Sequence, residues 1–167
     1  MILRTVLAIA LASVVSAPAM ADTKQASFDV KINVKKACSI SVVAPDMNFA
    51  SHDFNETGPF DATNDISVKC TKGTTYNVGL NAGTTTGGTE AARLMAGTGA
   101  NVDKVAYGLY SNAGRTTNWG GTIATGAVGG TGNNNVQTLT VYGRVLSSAL
   151  NVTPDDYKDT ITATITY

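Results

Sequence analysis

Apolar residues recur at every second position in a series of short segments. Residues 26–36 (ASFDVKINVKK) put Ala26, Phe28, Val30, Ile32 and Val34 in one row and Ser27, Asp29, Lys31, Asn33 and Lys35 in the other. A strand sends successive side chains to opposite faces, so this pattern predicts a strand with one apolar and one wet face. Residues 37–43 (ACSISVV) read as a second short strand ended by Pro45. Ile66, Val68 and Cys70 alternate in residues 64–70, and Tyr76, Val78 and Leu80 form the next row. Residues 93–95 read as a short edge strand. Val105, Tyr107 and Leu109 follow, then Leu139, Val141 and Val145, with Gly143 as a gap in the row. Residues 158–167 (KDTITATITY) give a last row of Ile161, Ala163, Ile165 and Tyr167, and the strand runs to the end of the sequence without a turn.

The intervening stretches are polar and rich in glycine. Residues 46–63 are irregular, with Gly58-Pro59 marking a turn, and Phe49, Phe54 and Phe60 read as loop anchors reaching into the core. Residues 81–88 and 126–135 (GAVGGTGNNN) read as flexible loops, and Ser111-Asn112-Ala113-Gly114 and Pro154-Asp155-Asp156 as turns. No 3.6-residue period is found beyond the first twenty or so residues, and no internal repeat. Several short strands separated by Gly, Asn and Pro signals predict an all-β chain, a β-sandwich of immunoglobulin-like type. Seventeen glycines among 167 residues and few strong helix formers agree.

Residues 1–21 read as a secretory signal peptide: Arg4, an apolar stretch over residues 5–15, and the small-x-small site Ala19-Met20-Ala21. The run is too short for a membrane anchor. The expected organisation is therefore a leader (1–21), an N-terminal strand (22–36) and one domain (37–167), exported and soluble. Without Arg4 the mature chain carries one acidic residue in excess. Near-neutral charge offers no electrostatic case for nucleic acid or anionic lipid as partner. Two cysteines in an exported chain predict a disulfide, Cys38–Cys70, tying the second strand to the strand at 64–70.

Material for catalysis is sparse. His52 is the single histidine, and its sequence neighbours Ser51 and Asp53 do not make a relay, so it reads as a polar loop residue. Asp155, Asp156 and Asp159 read as turn residues, since calcium needs more oxygen ligands than they supply. Two cysteines and one histidine make no metal site. Gly97-Thr98-Gly99 and Gly129-Gly130-Thr131-Gly132 lack the phosphate-loop and dinucleotide patterns and read as hairpin loops. Asn55-Glu56-Thr57 and Asn151-Val152-Thr153 match the glycosylation pattern, which is common by chance. Trp119 reads as an edge or core aromatic rather than a sugar platform. Neither an enzyme nor a cofactor is expected.

The two end strands remain. They are either ordinary strands of one closed sandwich, or the fold lacks a strand beside its last one and the first strand of another copy completes it by β-strand addition. Alternation alone does not separate these.

The stretch VAYGLYSNAGRTTNWG (105–120) resembles the Y-x-L-Y … W-G signature of spore coat U domain proteins. LTVYGRV (139–145) and PDDYKDTITATITY (154–167) are similar to that family's late strands, and Cys38 falls where the family places it, after an alternating opening strand. Asp155 or Asp156 stands where the family often has Gly, which bears on the turn type. The family includes subunits of archaic, Csu-like chaperone–usher pili and related secreted coat proteins. The resemblance implies an incomplete immunoglobulin-like fold lacking its final strand. It implies a periplasmic chaperone, an outer-membrane usher, other pilus subunits and further copies of the chain as partners, and the cell surface as destination. On that reading Ala26, Phe28, Val30, Ile32 and Val34 are the donor row, and Ile161, Ala163, Ile165 and Tyr167 line a wall of the acceptor groove. The Tyr167 carboxylate is then the end that the chaperone's basic cleft anchors. The expected function is a pilin for adhesion and biofilm. The competing expectation is a monomeric secreted coat or carbohydrate-binding module using Trp119.

Overall fold

The structure, a computed structural model, describes residues 20–43 and 45–167. The leader predicted over residues 1–21 falls, apart from Met20 and Ala21, outside the described residues. The chain divides into two units, residues 1–33 and 34–167.

In the first unit, the described residues 20–33 form no regular secondary structure. The strand expected over 26–36 is therefore not a strand here. Alternation gives a segment a face, but a strand exists only through a hydrogen-bonded partner, and this one is in no ladder. Phe28, Val30 and Ile32 are 86%, 87% and 90% exposed.

The second unit is all-β. Its strands are β1 (Cys38–Val42), β2 (Phe60–Cys70), β3 (Thr75–Leu80), β4 (Arg93–Ala96), β5 (Lys104–Tyr110), β6 (Val128–Thr131), β7 (Gln137–Val145) and β8 (Ala163–Thr166). One sheet has the order β1-β2-β7-β5-β4 and the other β6-β3-β8. All pairings are antiparallel. The inward rows anticipated from alternation form the core: Ile66, Val68 and Cys70 of β2, Tyr76, Val78 and Leu80 of β3, Val105, Tyr107 and Leu109 of β5, and Val141 and Val145 of β7 are all buried. The disulfide Cys38–Cys70 is formed, with the two cysteines directly opposite in the β1–β2 register.

Three expectations are corrected. The glycine-rich stretch at 126–135 is not simply a loop, because β6 lies within it and pairs Thr75↔Thr131 through Val78↔Val128. Gly130 faces Tyr76, where a Cβ would collide with the Tyr76 ring, so glycine here clears space for a core aromatic in a strand. Gly129-Gly130-Thr131 thus belongs to β6, whereas Gly97-Thr98-Gly99 does lie in the β4–β5 hairpin loop. Phe54 is 89% exposed and anchors nothing, whereas Phe60 is buried as the first residue of β2 and Phe49 packs against the core. The last strand is shorter than expected: only Ala163–Thr166 is strand, and Lys158 instead makes an isolated bridge to Ala96.

Candidate functional site

The site follows from how the two sheets end. Among the described residues β1 pairs only with β2, and β8 only with β3. Each strand therefore has a side whose N–H and C=O groups meet no neighbouring strand. Between these edges lies a groove of about 620 Å³. Val42 of β1, Ile161 just before β8 and Ala163 at its start line its rims, and Ile66, Leu80, Leu109 and Val141 line its apolar floor. A sandwich core is open along this gap, where a closed one has a strand.

One flank is the segment from Pro45 to Pro59 that leads from β1 to β2. Met47 and Phe49 line the groove, and both pack on Gly143 of β7, where a Cβ would collide with the Met47 sulfur and the Phe49 ring. The gap in the β7 alternation is thus a seat for this loop. Phe49 also meets the Tyr107 ring, centroids 6.5 Å apart and tilted by 59°.

The far end of the groove is polar. Tyr107 donates to Asp159 Oδ2 at 2.6 Å. Asp159 Oδ1 accepts the backbone N–H groups of Thr84 (2.9 Å) and Thr85 (3.0 Å) and both hydroxyls. Burial works to raise the Asp159 carboxyl, but the hydrogen bonds from Tyr107 and Thr85 outweigh it and leave it below the usual range. Burial first, then the Asp159 hydrogen bond, pushes the Tyr107 phenol up. Next to this, the β4–β5 hairpin is stapled to the segment preceding β8. Asp155 accepts from the Thr98 N–H (2.7 Å), the Thr98 hydroxyl (2.5 Å) and Asn101 (2.9 Å), and Asp103 accepts from the N–H and hydroxyl of Thr153 at 2.8 and 2.6 Å. Ala96 and Lys158 exchange two backbone bonds of 2.9 Å. Asp155 and Asp159, two of the three aspartates that read as turn residues, thus tie the groove's end together.

These bonds set an acid limit. The Thr98 hydrogen bonds bring the Asp155 carboxyl down from 3.8 to about 2, and the Thr153 bonds lower Asp103. A depressed carboxyl contributes stability that is present above the unfolded value and is lost as pH falls through the folded one. The staple is therefore expected to hold above pH 3.8 and to loosen between there and about pH 2. Amide exchange at Thr98 and Thr153 checks this. Protection that persists unchanged to pH 2 would mean that the carboxylates do not hold the hairpin.

The residues anticipated from the sequence fall as follows. Ile161 and Ala163 line the groove. Ile165 is half-buried against the core, and Tyr167 is 57% exposed; neither borders the cavity. Ala26, Phe28, Val30, Ile32 and Val34 are exposed. Trp119 is 1% exposed and donates its indole N–H to Val78 C=O at 2.8 Å, so it offers no platform to a sugar. Met47, Phe49, Tyr107 and Asp159 were not anticipated as groove residues. Their only sequence signals were Phe49 as an anchor, Tyr107 in a core row, Asp159 in an acidic turn and the missing side chain at Gly143.

The profile of the Spore Coat Protein U domain matches residues 24–164. No curated protein sequence matches the chain. Among solved structures, it is similar to the crystal structure of the CsuC–CsuE chaperone–tip adhesion subunit pre-assembly complex from archaic chaperone–usher Csu pili of Acinetobacter baumannii. The identity is 21% and the TM-score 0.56, covering 80% of this chain and 40% of that chain. The chain thus spans well under half the length of that neighbour, and the likeness is one of fold. The crystal structure of the P pilus rod subunit PapA matches at 18% identity with a TM-score of 0.49, covering 78% of this chain and 98% of that chain. The signature around residues 105–120, the open two-sheet fold and a profile match over most of the sequence lead to one statement: the chain belongs to the Spore Coat Protein U domain family.

Proposed function

We propose that the protein is a structural pilin subunit that polymerises head-to-tail by donor-strand complementation into a surface pilus used in adhesion and biofilm formation. The observation that carries this reading is the groove: apolar, open, and bordered by the unpaired edges of β1 and β8. Such a groove is a ready acceptor for an extended segment, with main-chain bonds along the edge and alternate side chains in the gap. Residues 22–36 supply a segment of the right kind, with Ala26, Phe28, Val30, Ile32 and Val34 as its apolar row. Ile161 and Ala163, which line the groove, are assigned to the receiving wall, and Ile165 and Tyr167 to the continuation of the same row beyond the cavity. A contact of one copy's segment with the next copy's groove is heterologous and does not close on itself, so it generates a fibre. An exposed groove and free edges are an aggregation hazard, which accounts for a periplasmic chaperone that covers them until an outer-membrane usher and the next subunit take over.

The test is the size distribution of the purified full chain under non-denaturing conditions, with and without an excess of synthetic peptide of residues 22–36. A ladder of multimers that shortens with added peptide is the expected result. A single monomer peak at high protein concentration would count against polymerisation. The competing module reading loses its main support with Trp119 buried in the core.

A further inference from the structure

The chain has one histidine, and the groove loop is built around it. His52 Nδ1 lies 2.7 Å from Glu56 Oε2, and Nε2 lies 2.5 Å from the Phe49 carbonyl oxygen. Its ring stacks on Phe60, centroids 3.7 Å apart at 23°. Both partners of the imidazole are acceptors: a carbonyl has no proton to give, and neither does a carboxylate. Satisfying both requires a proton on each ring nitrogen, which makes His52 an imidazolium in this arrangement. A neutral ring keeps one bond: the carboxylate is the stronger acceptor, so the proton stays on Nδ1 toward Glu56 and the Nε2 lone pair turns toward the Phe49 carbonyl oxygen.

The bond to Phe49 matters because Phe49 is a wall of the groove. Its carbonyl is held by His52, while its ring lies over Gly143 and against Tyr107 and borders the cavity. Nearby bonds in the same loop are short-range: Ala50 N–H to Asn48 (2.8 Å), Asn55 N–H to Asp53 (2.7 Å) and Asp53 N–H to Glu56 (3.3 Å). His52 joins them to Phe60 at the head of β2. The charged groups around the ring are Glu56, bonded to it, and Asp53 on the same loop. From β2, Asp61 is engaged by Arg144 (2.7 and 2.8 Å) and Arg115 (3.2 Å).

We infer that His52 in its imidazolium form is the latch of the 45–56 loop, and that its deprotonation releases Phe49 from the groove wall. The latch stands on the loop geometry alone. Its consequence for an incoming strand rests on the donor-strand reading, and is that the groove presents a fixed wall on the acid side of the His52 titration and a loose one on the alkaline side.

The sign follows from linkage. The Glu56 hydrogen bond, opposed by partial burial and helped by the Phe49 carbonyl, raises His52 above 6.5. A raised group contributes stability that is complete below the unfolded value and is lost as pH rises through the folded one. The latch is therefore closed below pH 6.5 and opens as pH passes the raised value.

The experiment uses the full chain. Exchange of the imidazole C2–H, followed by mass spectrometry across pH, reports the His52 titration directly because there is only one histidine. Backbone exchange of residues 45–56, corrected for intrinsic base catalysis, reports the loop. The expected results are a midpoint above 6.5 that Glu56→Gln lowers, and a several-fold rise in loop exchange centred on that midpoint and absent in His52→Gln. A midpoint at or below 6.5, or a loop step that persists in His52→Gln, would overturn the latch. Binding of the 22–36 peptide is read in parallel. A loop that steps with His52 while no peptide binds at any pH leaves the latch standing and removes the donor-strand reading instead.

Discussion

A chain lacking residues 22–36 is expected to fold, to keep its disulfide, and to be unable to assemble. The 34–167 unit has its own core, in which Cys38 is the first of the described residues to take part. Phe28, Val30 and Ile32 are exposed, so removing them takes nothing from that core. A single substitution should reproduce the loss. Ile32→Asp places a carboxylate in the row assigned to the groove, whose floor is the apolar Ile66, Leu80, Leu109 and Val141, with Lys158 the cation among the lining residues. Burying an unpaired charge there costs several kcal/mol, against an interaction already offset by the cost of ordering a free arm. Lys31→Asp changes charge by more but lies on the wet face, and should assemble nearly as the parent does. Native size distributions of the four chains decide the matter. Equal loss from Ile32→Asp and Lys31→Asp would point to charge rather than groove filling. Normal multimers from the shortened chain would end the donor-strand reading.

The largest stability effect is expected at Arg93. Its side chain is fully buried at the start of β4. The guanidinium donates to four backbone carbonyls: Asn81 (2.8 Å) from Nε, Glu90 (2.6 Å) from Nη1, and Leu80 (3.1 Å) and Trp119 (2.8 Å) from Nη2. Burial lowers its pKa from the ordinary arginine value, with Tyr107, Glu90 and Asp159 opposing that shift. The arrangement binds the end of β3 in one sheet to the start of β4 in the other, beside Trp119, and adjoins the groove through Leu80, Tyr107 and Asp159. Arg93→Leu leaves those carbonyls without their donor. Unmet buried acceptors cost about 1–3 kcal/mol each, and breaking a buried charged hub about 3–5 kcal/mol. The variant should therefore unfold at markedly lower urea concentration, with a loss of about 3–5 kcal/mol. Arg93→Lys should recover little, because a point ammonium cannot span carbonyls that the planar fork reaches together. A loss within about 1 kcal/mol for Arg93→Leu, the size of an ordinary surface change, would show that the hub does not hold the sheets.

The strand rows were legible because alternation reports burial directly, provided a strand has one face inward. Ile66, Val68 and Cys70, or Val105, Tyr107 and Leu109, needed no partner to be recognised. The β6 strand was hidden because glycines carry no side chain to alternate, and the reason for Gly130 is the Tyr76 ring packed over it from the neighbouring strand. Arg93 was hidden for the converse reason. It sits at an inward position of a short strand, where a charge reads as a reason to face water, and only the four carbonyls converging from distant segments make burial tolerable.

Residues 26–36 mark the boundary between the two kinds of information. Their alternation by itself determined that one face is apolar, and the wider pattern determined an all-β chain with a Cys38–Cys70 link, because side-chain period and cysteine count are properties of the sequence. Whether those residues form a strand is not such a property. Backbone pairing needs a second segment, and in the structure they have none. The tertiary structure alone decided that the sandwich is left open between β1 and β8, that Met47 and Phe49 flank the opening over Gly143, and that His52 grips their loop. Each of these depends on groups far apart in the chain meeting across a gap, and no local period carries the distance between them.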